Sequence, residues 1–376
     1  GTLTGDLFGG AYQSYVKQST NIITTGNLYG NIYGGGENTS NGTSGVGYKQ
    51  NSEFISGTIN VNIKTGTIGN KNTSNNIYGG SKNQNNIDTD KFEENSYITI
   101  GSTEGSPIIY NTIYGGGIND KLNSTNIEVI GNNRNSYLKI YGASNANSVI
   151  KTSNITTNGG YIAEIYGSGN TVGSVDTTNI TLDRSTVQNV YGAGNRNSAK
   201  ITNIIAKSGN ITNIYGGGKD LDTAIENTNI SVLNGNITNI YGAGLNNGAG
   251  RTNINVNAST RTSRITNIYG GAKDSGNVNE TNVNILNGSV NNVYGGNQNG
   301  GYTINSKVNI QKTAEVKNKL FAGGQNSDIG TSGTNGNAIL NITGGTISCD
   351  VNGGSDLGKV YGNTSVSYTH LRAHET

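Results

Sequence analysis

The chain has 376 residues and a net charge of +2, with 13% charged and 31% hydrophobic residues, 59 glycines, one proline and one cysteine. So weak a charge excludes charge-driven disorder. No cluster of Lys and Arg interleaved with aromatics is present to grip nucleic acid, and no apolar run is long enough to span a membrane. What remains is either a low-complexity chain or a repeat fold with a thin core, and periodicity decides between them.

Taken from the N-terminus, the chain starts inside a repeat, at Leu7-Phe8-Gly9-Gly10, and contains no methionine. Both features imply that the natural start lies outside this sequence. The unit apolar–aromatic–Gly then recurs as Ile32-Tyr33-Gly34, Ile77-Tyr78-Gly79, Ile113-Tyr114-Gly115, Ile140-Tyr141-Gly142 and Ile165-Tyr166-Gly167. It continues as Val190-Tyr191-Gly192, Ile214-Tyr215-Gly216, Ile240-Tyr241-Gly242, Ile268-Tyr269-Gly270, Val293-Tyr294-Gly295 and Leu320-Phe321-Ala322. From Tyr114 to Tyr294 seven intervals cover 180 residues, a mean near 25.7. The wider gaps around Tyr78 predict insertions near residues 37–49 and 82–95.

Between the aromatics lies a second motif, Thr/Ser-Asn-Ile-x-Val/Leu, as in Thr125-Asn126-Ile127-Glu128-Val129 and Thr228-Asn229-Ile230-Ser231-Val232. Its alternation of apolar and polar residues is that of a half-buried strand, Ile and Val inward, Asn and x outward. Turns such as Leu233-Asn234-Gly235-Asn236 follow, where Asn-Gly supplies φ > 0. Strands such as Ile237–Tyr241 come next, closed by glycine corners such as 242–244.

One such repeat cannot bury its own apolar side, so the repeats must stack. The fold class expected is all-β: a right-handed parallel β-helix, or β-solenoid, of about 25 residues per coil and about 13 coils. Residues 1–365 form a single solenoid fragment in this reading. The near-absence of proline agrees, because proline would delete ladder hydrogen bonds. Stacking should place Asn126, Asn154, Asn179, Asn203, Asn229, Asn253 and Asn282 in one exposed rank, bonded amide to amide. The tyrosines should stack at a corner with their hydroxyls in water. A flat polar face or an aromatic stripe that binds glycan, ice or a protein is the functional alternative for each rank.

Residues 366–376 break the pattern and hold both histidines, His370 and His374. This stretch resembles the translation of a sequencing-library adapter, which makes it a non-native tail and the source an assembled metagenome. Without it the charge stays +2, since 24 basic minus 22 acidic residues remain.

The chemistry-bearing residues form no constellation. No histidine-dependent triad is possible in residues 1–365, and Gly216–Asp220 lacks the spacing of a phosphate loop. Asp88, Asp90, Glu93 and Glu94, and separately Asp220 and Asp222, read as solvated loop acids rather than a Ca²⁺ site. Cys349 is alone, so it reads as a small apolar filler after Ile347. Arg184, Arg196, Arg251, Arg261 and Arg264 are dispersed. No catalytic residue, metal ligand or cofactor is therefore expected.

The Ile-Tyr-Gly-Gly-Gly and Thr-Asn-Ile-x-Val units resemble the degenerate repeats of large bacterial surface proteins, the β-strand-repeat adhesin-like proteins, over about residues 7–362. That resemblance implies secretion, display at the cell surface, and a non-catalytic role as adhesin or stalk. The partners it implies are host or environmental glycans or proteins, with no nucleic acid and no membrane insertion of this segment. A monomeric rod, or end-to-end association through unpaired sheet edges, is expected. The alternatives are a pectate-lyase-like β-helix enzyme degrading polysaccharide, an accessory glycan-binding region, or an ice-binding face.

Overall fold

The computed structural model describes residues 1–13, 16, 18–37, 47–50, 53–73, 75–82, 94–118, 121–131, 138–221, 223–259 and 263–369. No helix occurs among them, and so none is long and apolar enough to cross a membrane. The chain divides into two compact units, Gly1–Lys200 and Ile201–Thr376. Each is a β-solenoid of stacked parallel strands, and the turns of the chain number about 12.

In the first unit the aromatic motifs pair directly, one rung on the next. Leu7, Ile32, Ile77, Ile113, Ile140, Ile165 and Val190 are successive register partners, as are Phe8, Tyr33, Tyr78, Tyr114, Tyr141, Tyr166 and Tyr191. Tyr33–Tyr78 and Tyr78–Tyr114 are neighbours despite their long separations, so the extra residues add no rung. These are the insertions that the spacing predicts. The asparagine strands, such as Thr58–Ile63, Asn95–Ile100 and Lys121–Ile130, form a second parallel row. A third row is built from two-residue strands, with Leu3, Leu28, Ile68 and Ile109 in register.

The first insertion carries an antiparallel hairpin, Gly47–Gln50 with Glu53–Ser56. Residues 38–46 of that insertion, and 83–93 of the second, lie outside the described residues. Glu37, Lys82 and Asn95 themselves belong to the coils, through the hydrogen bonds Glu37 N–Ala11 O and Lys82 N–Gly36 O and the strand starting at Asn95.

The second unit repeats the plan more regularly. Ile225–Val232 is an asparagine strand, Asn236–Tyr241 an aromatic one, and Ala249–Asn257 opens the following coil. The turn between the first two uses Gly235 at φ +114°, its N–H donating to Asn234 Oδ1 at 2.9 Å. Ile225, Ile230, Val232, Ile237 and Ile240 are fully or almost fully buried, so the core is a column of β-branched side chains. Such residues lose little χ1 freedom on a pleated surface. Thr364–Tyr368 adds a last strand on Asn337–Ile342, so Val366–Tyr368 of the anomalous tail lies in the sheet with Val366 and Tyr368 exposed. Residues 370–376 are outside the described residues.

Candidate binding surfaces

Alternation along each strand sorts the motif residues. In Thr228-Asn229-Ile230-Ser231-Val232, Thr, Ile and Val are buried, while Asn and Ser are partly exposed. The expected asparagine rank forms. Within the first unit Asn154 Nδ2 donates to Asn126 Oδ1 and Asn179 Nδ2 to Asn154 Oδ1, both at 2.9 Å. Within the second, Asn229 donates to Asn203 and Asn253 to Asn229 at 3.0 Å, and Asn282 to Asn253 at 3.4 Å. Each amide thus gives one N–H and one oxygen to its neighbours, which leaves few groups for a ligand.

Two ranks were missed in the sequence. The first is the hydroxyl that opens the motif. Thr178, Thr202, Thr228, Thr252, Thr281 and Ser306 are buried, and each donates at 2.5–2.6 Å to the carbonyl of the residue after the aromatic. Period-2 alternation alone puts this position inside, two residues before the inward Ile, and that was the available signal. The second is the Asn before the core residue of the aromatic strand. Asn239, Asn267 and Asn292 each donate to the preceding rung's Asn Oδ1 at 2.7–2.8 Å, and in the next rung, where Lys319 holds that position, the neighbouring Asn318 donates to Asn292 Oδ1 at 2.8 Å.

The tyrosine rank stacks as expected, but its hydroxyls are not in water. Ring centroids lie 4.5–5.1 Å apart from Phe8 to Tyr191 in the first unit and 4.9–5.4 Å from Tyr215 to Phe321 in the second. The tyrosines of the rank are 1–6% exposed. The chain bends right after each tyrosine, so two consecutive residues, such as Ile240 and Tyr241, both point inward. The hydroxyls find protein partners instead: Tyr241 donates to Gln298 Oε1 and Tyr269 to Gln325 Oε1, each at 3.0 Å. Burial raises their pKa, to about 12 for Tyr141, Tyr215 and Tyr269, with Glu164 and Asp274 adding repulsion at the first two and Tyr294 at the third. Ring faces that cover one another cannot also receive a sugar.

The remaining candidates are dispersed. Asp88, Asp90, Glu93, Asp222 and Arg261 lie outside the described residues. Glu94 is buried and its backbone carbonyl accepts from Asn123 N. Asp220 accepts from Asn246 Nδ2 at 3.0 Å. Arg251 pairs with Glu280 at 2.7 Å and Arg184 with Asp183 at 4.0 Å, both as surface pairs. Cys349 is half-buried, and burial, with the Asp350 charge beside it, keeps its thiol protonated. Among the described residues no three His, Cys, Asp or Glu side chains gather as metal ligands would.

Two of the concavities on the first unit are lined by described residues. One lies on the asparagine row, about 230 Å³, between Tyr97, Asn126, Glu128 and Asn154. The other, about 610 Å³, lies on the third row and is lined by Tyr29, Gly69, Tyr110 and the Asn70–Thr73 loop. Here the rungs are aligned by backbone bonds, Gly69 N to Leu28 O and Tyr110 N to Ile68 O. Tyr29, Gly69 and Tyr110 therefore occupy the same position in three successive coils. The loop is fixed by Thr73 N donating to Asn70 Oδ1 at 3.0 Å and Asn111 Nδ2 to Thr73 O at 2.8 Å.

No protein-family model matches this chain, and no curated protein or solved structure matches it significantly.

Proposed function

We propose that this chain is a segment of a secreted, surface-displayed bacterial repeat protein that works as a stalk or adhesin and not by catalysis. The observation that carries the reading is how the repeat spends its polar groups. Amides bond to amides and hydroxyls to carbonyls along the stack, so the coil's chemistry serves continuity rather than a converging set of reactive groups. Its charged residues pair locally, as Lys139 with Glu164 at 2.7 Å and Lys200 with Asp176 at 2.6 Å. A periodic, weakly charged surface suits a spacer that holds a binding region away from a cell. Glycans or surface proteins are the partners that such a display would meet.

The test is to express the full-length gene in a bacterial host and shave intact cells with protease. Solenoid peptides released from whole cells are the expected result. Peptides recovered only after lysis would overturn the surface reading. Incubation of the purified chain with pectate and related polysaccharides should release no unsaturated or reducing ends. Release that survives repurification would instead establish the β-helix enzyme.

A further inference from the structure

One turn of the second unit brings together a side-chain amide, a backbone nitrogen and a buried hydroxyl. Asn234-Gly235 joins the asparagine strand Ile225–Val232 to the aromatic strand Asn236–Tyr241. Its glycine N–H is shared between two acceptors, Asn234 Oδ1 at 2.9 Å and Ser263 Oγ at 3.2 Å. Ser263 comes from the next coil, where Arg264 pairs with Asn236. It is 1% exposed, and its hydroxyl donates to Asn234 Oδ1. One hydroxyl thus touches both the N–H and the carbonyl oxygen of an amide that this nitrogen can close on in a five-membered ring.

The surroundings favour the encounter. Gly235 has φ +114°, a conformation that glycine adopts at no steric cost, and it sets no Cβ beside its nitrogen. Asn234 is partly exposed and Leu233 and Asn236 beside it are exposed, so water can enter and a small product can leave. Other Asn-Gly pairs are held differently. Asn247, before Gly248, is buried and its Oδ1 accepts from Gly218 N at 3.1 Å. Asn287, before Gly288, donates to Asn257 Oδ1 and accepts from Thr313 Oγ1 at 2.6 Å.

We infer that Asn234-Gly235 is a self-modifying site, at which Ser263 promotes loss of the Asn234 amide as ammonia. The Gly235 nitrogen bonds to Asn234 Cγ while its proton passes to Ser263 Oγ and the Ser263 proton passes to Oδ1. Transfer by a positioned group lowers the barrier to such a step. The tetrahedral adduct then sends the Oδ1 proton back through Ser263 to Nδ2. The Cγ–Nδ2 bond breaks, its electron pair leaves with ammonia, the Cγ–Oδ1 double bond re-forms and a succinimide remains. Ser263 ends as it began. One water opens the ring at either carbonyl and leaves an aspartyl or isoaspartyl residue at position 234. The isoaspartyl form adds a methylene to the main chain at the turn, which misaligns Asn236–Tyr241 against Asn210–Tyr215 and Arg264–Tyr269. The reaction consumes only water and does not depend on where the protein resides.

The experiment is to hold the purified full chain at neutral pH, native or in guanidinium, and to map its peptides by mass spectrometry over time. A gain of one mass unit at position 234 is expected. It should proceed at least about tenfold faster in the native chain than in the denatured one, where the hydroxyl is no longer in place, and should outpace conversion at Asn287. Hydroxylamine, which cleaves a succinimide, should cut the native chain between Asn234 and Gly235. Ser263→Ala should slow the conversion about tenfold. The comparison of native with denatured chain serves even if that variant misfolds. Conversion at position 234 no faster in the native chain than in guanidinium, or unchanged in folded Ser263→Ala, would overturn the inference.

Discussion

At the scale of single residues, the decisive contact joins the motif hydroxyl to the glycine after the tyrosine. Thr228 Oγ1 donates to Gly242 O inside the core, and a Cβ added at Gly242 would stand 1.9 Å from Gly270 O. These residues are thus coupled through the corner they share. Thr228→Val keeps the shape but leaves a buried carbonyl with one donor fewer, a cost of about 1–3 kcal/mol. Thr228→Ser should recover most of it. Gly242→Ala forces the backbone apart and should cost about as much or more, as overpacking does. Guanidinium melts followed by circular dichroism measure all three, and a Thr228→Val midpoint equal to the parent's would show that the hydroxyl is idle.

At the scale of the element, each strand is stabilised less by its own propensity than by its two neighbours. The amide ladder makes this concrete in the second unit, where Asn239 donates to Asn213 and accepts from Asn267. Asn239→Ala removes two bonds at once, worth about 0.5–1.5 kcal/mol each, and exposes Asn267 to water rather than to a void. Solenoid coils couple mainly to nearest neighbours. Amide hydrogen exchange should therefore quicken in Asn210–Tyr215, Asn236–Tyr241 and Arg264–Tyr269 and be little changed in coils farther along. Uniform quickening across the unit would contradict nearest-neighbour coupling.

At the scale of the whole molecule, both units hold a column of buried tyrosines whose pKa values burial raises above the ordinary 10, to about 12 at Tyr141, Tyr215 and Tyr269. Unfolded tyrosines ionise from about pH 10, while folded ones stay protonated, so the folded state binds more protons in that window. Stability is therefore complete below about pH 10 and falls as pH rises from 10 toward 12, by up to about 1.4 kcal/mol per pH unit for each such tyrosine. The chain has 21 tyrosines, ten of them in the buried rank and others exposed, so an alkaline titration should show an early phenolate phase with the sheet intact and a later phase that appears together with loss of the strand signal. Phenolate absorbance reaching its full value for all 21 tyrosines while the sheet is intact would mean that the rank is solvated after all.

The sequence by itself determined the architecture. A strict apolar–aromatic–Gly period and a period-2 asparagine strand admit only stacked coils, because a single 25-residue unit has no partner for its apolar side. The asparagine ladder followed from the same logic, since equivalent residues must meet when coils stack in register. What only the tertiary structure decided was the fate of residues at corners. Alternation predicts a tyrosine that leaves the core after an inward Ile240, yet the chain turns at Gly242 and folds Tyr241 in, so its hydroxyl meets Gln298, 57 residues on. The alignment of Tyr29, Gly69 and Tyr110 was likewise illegible, because irregular insertions separate these residues by 40 and 41 positions. Period arithmetic fails there, and only backbone pairing brings the three into one row.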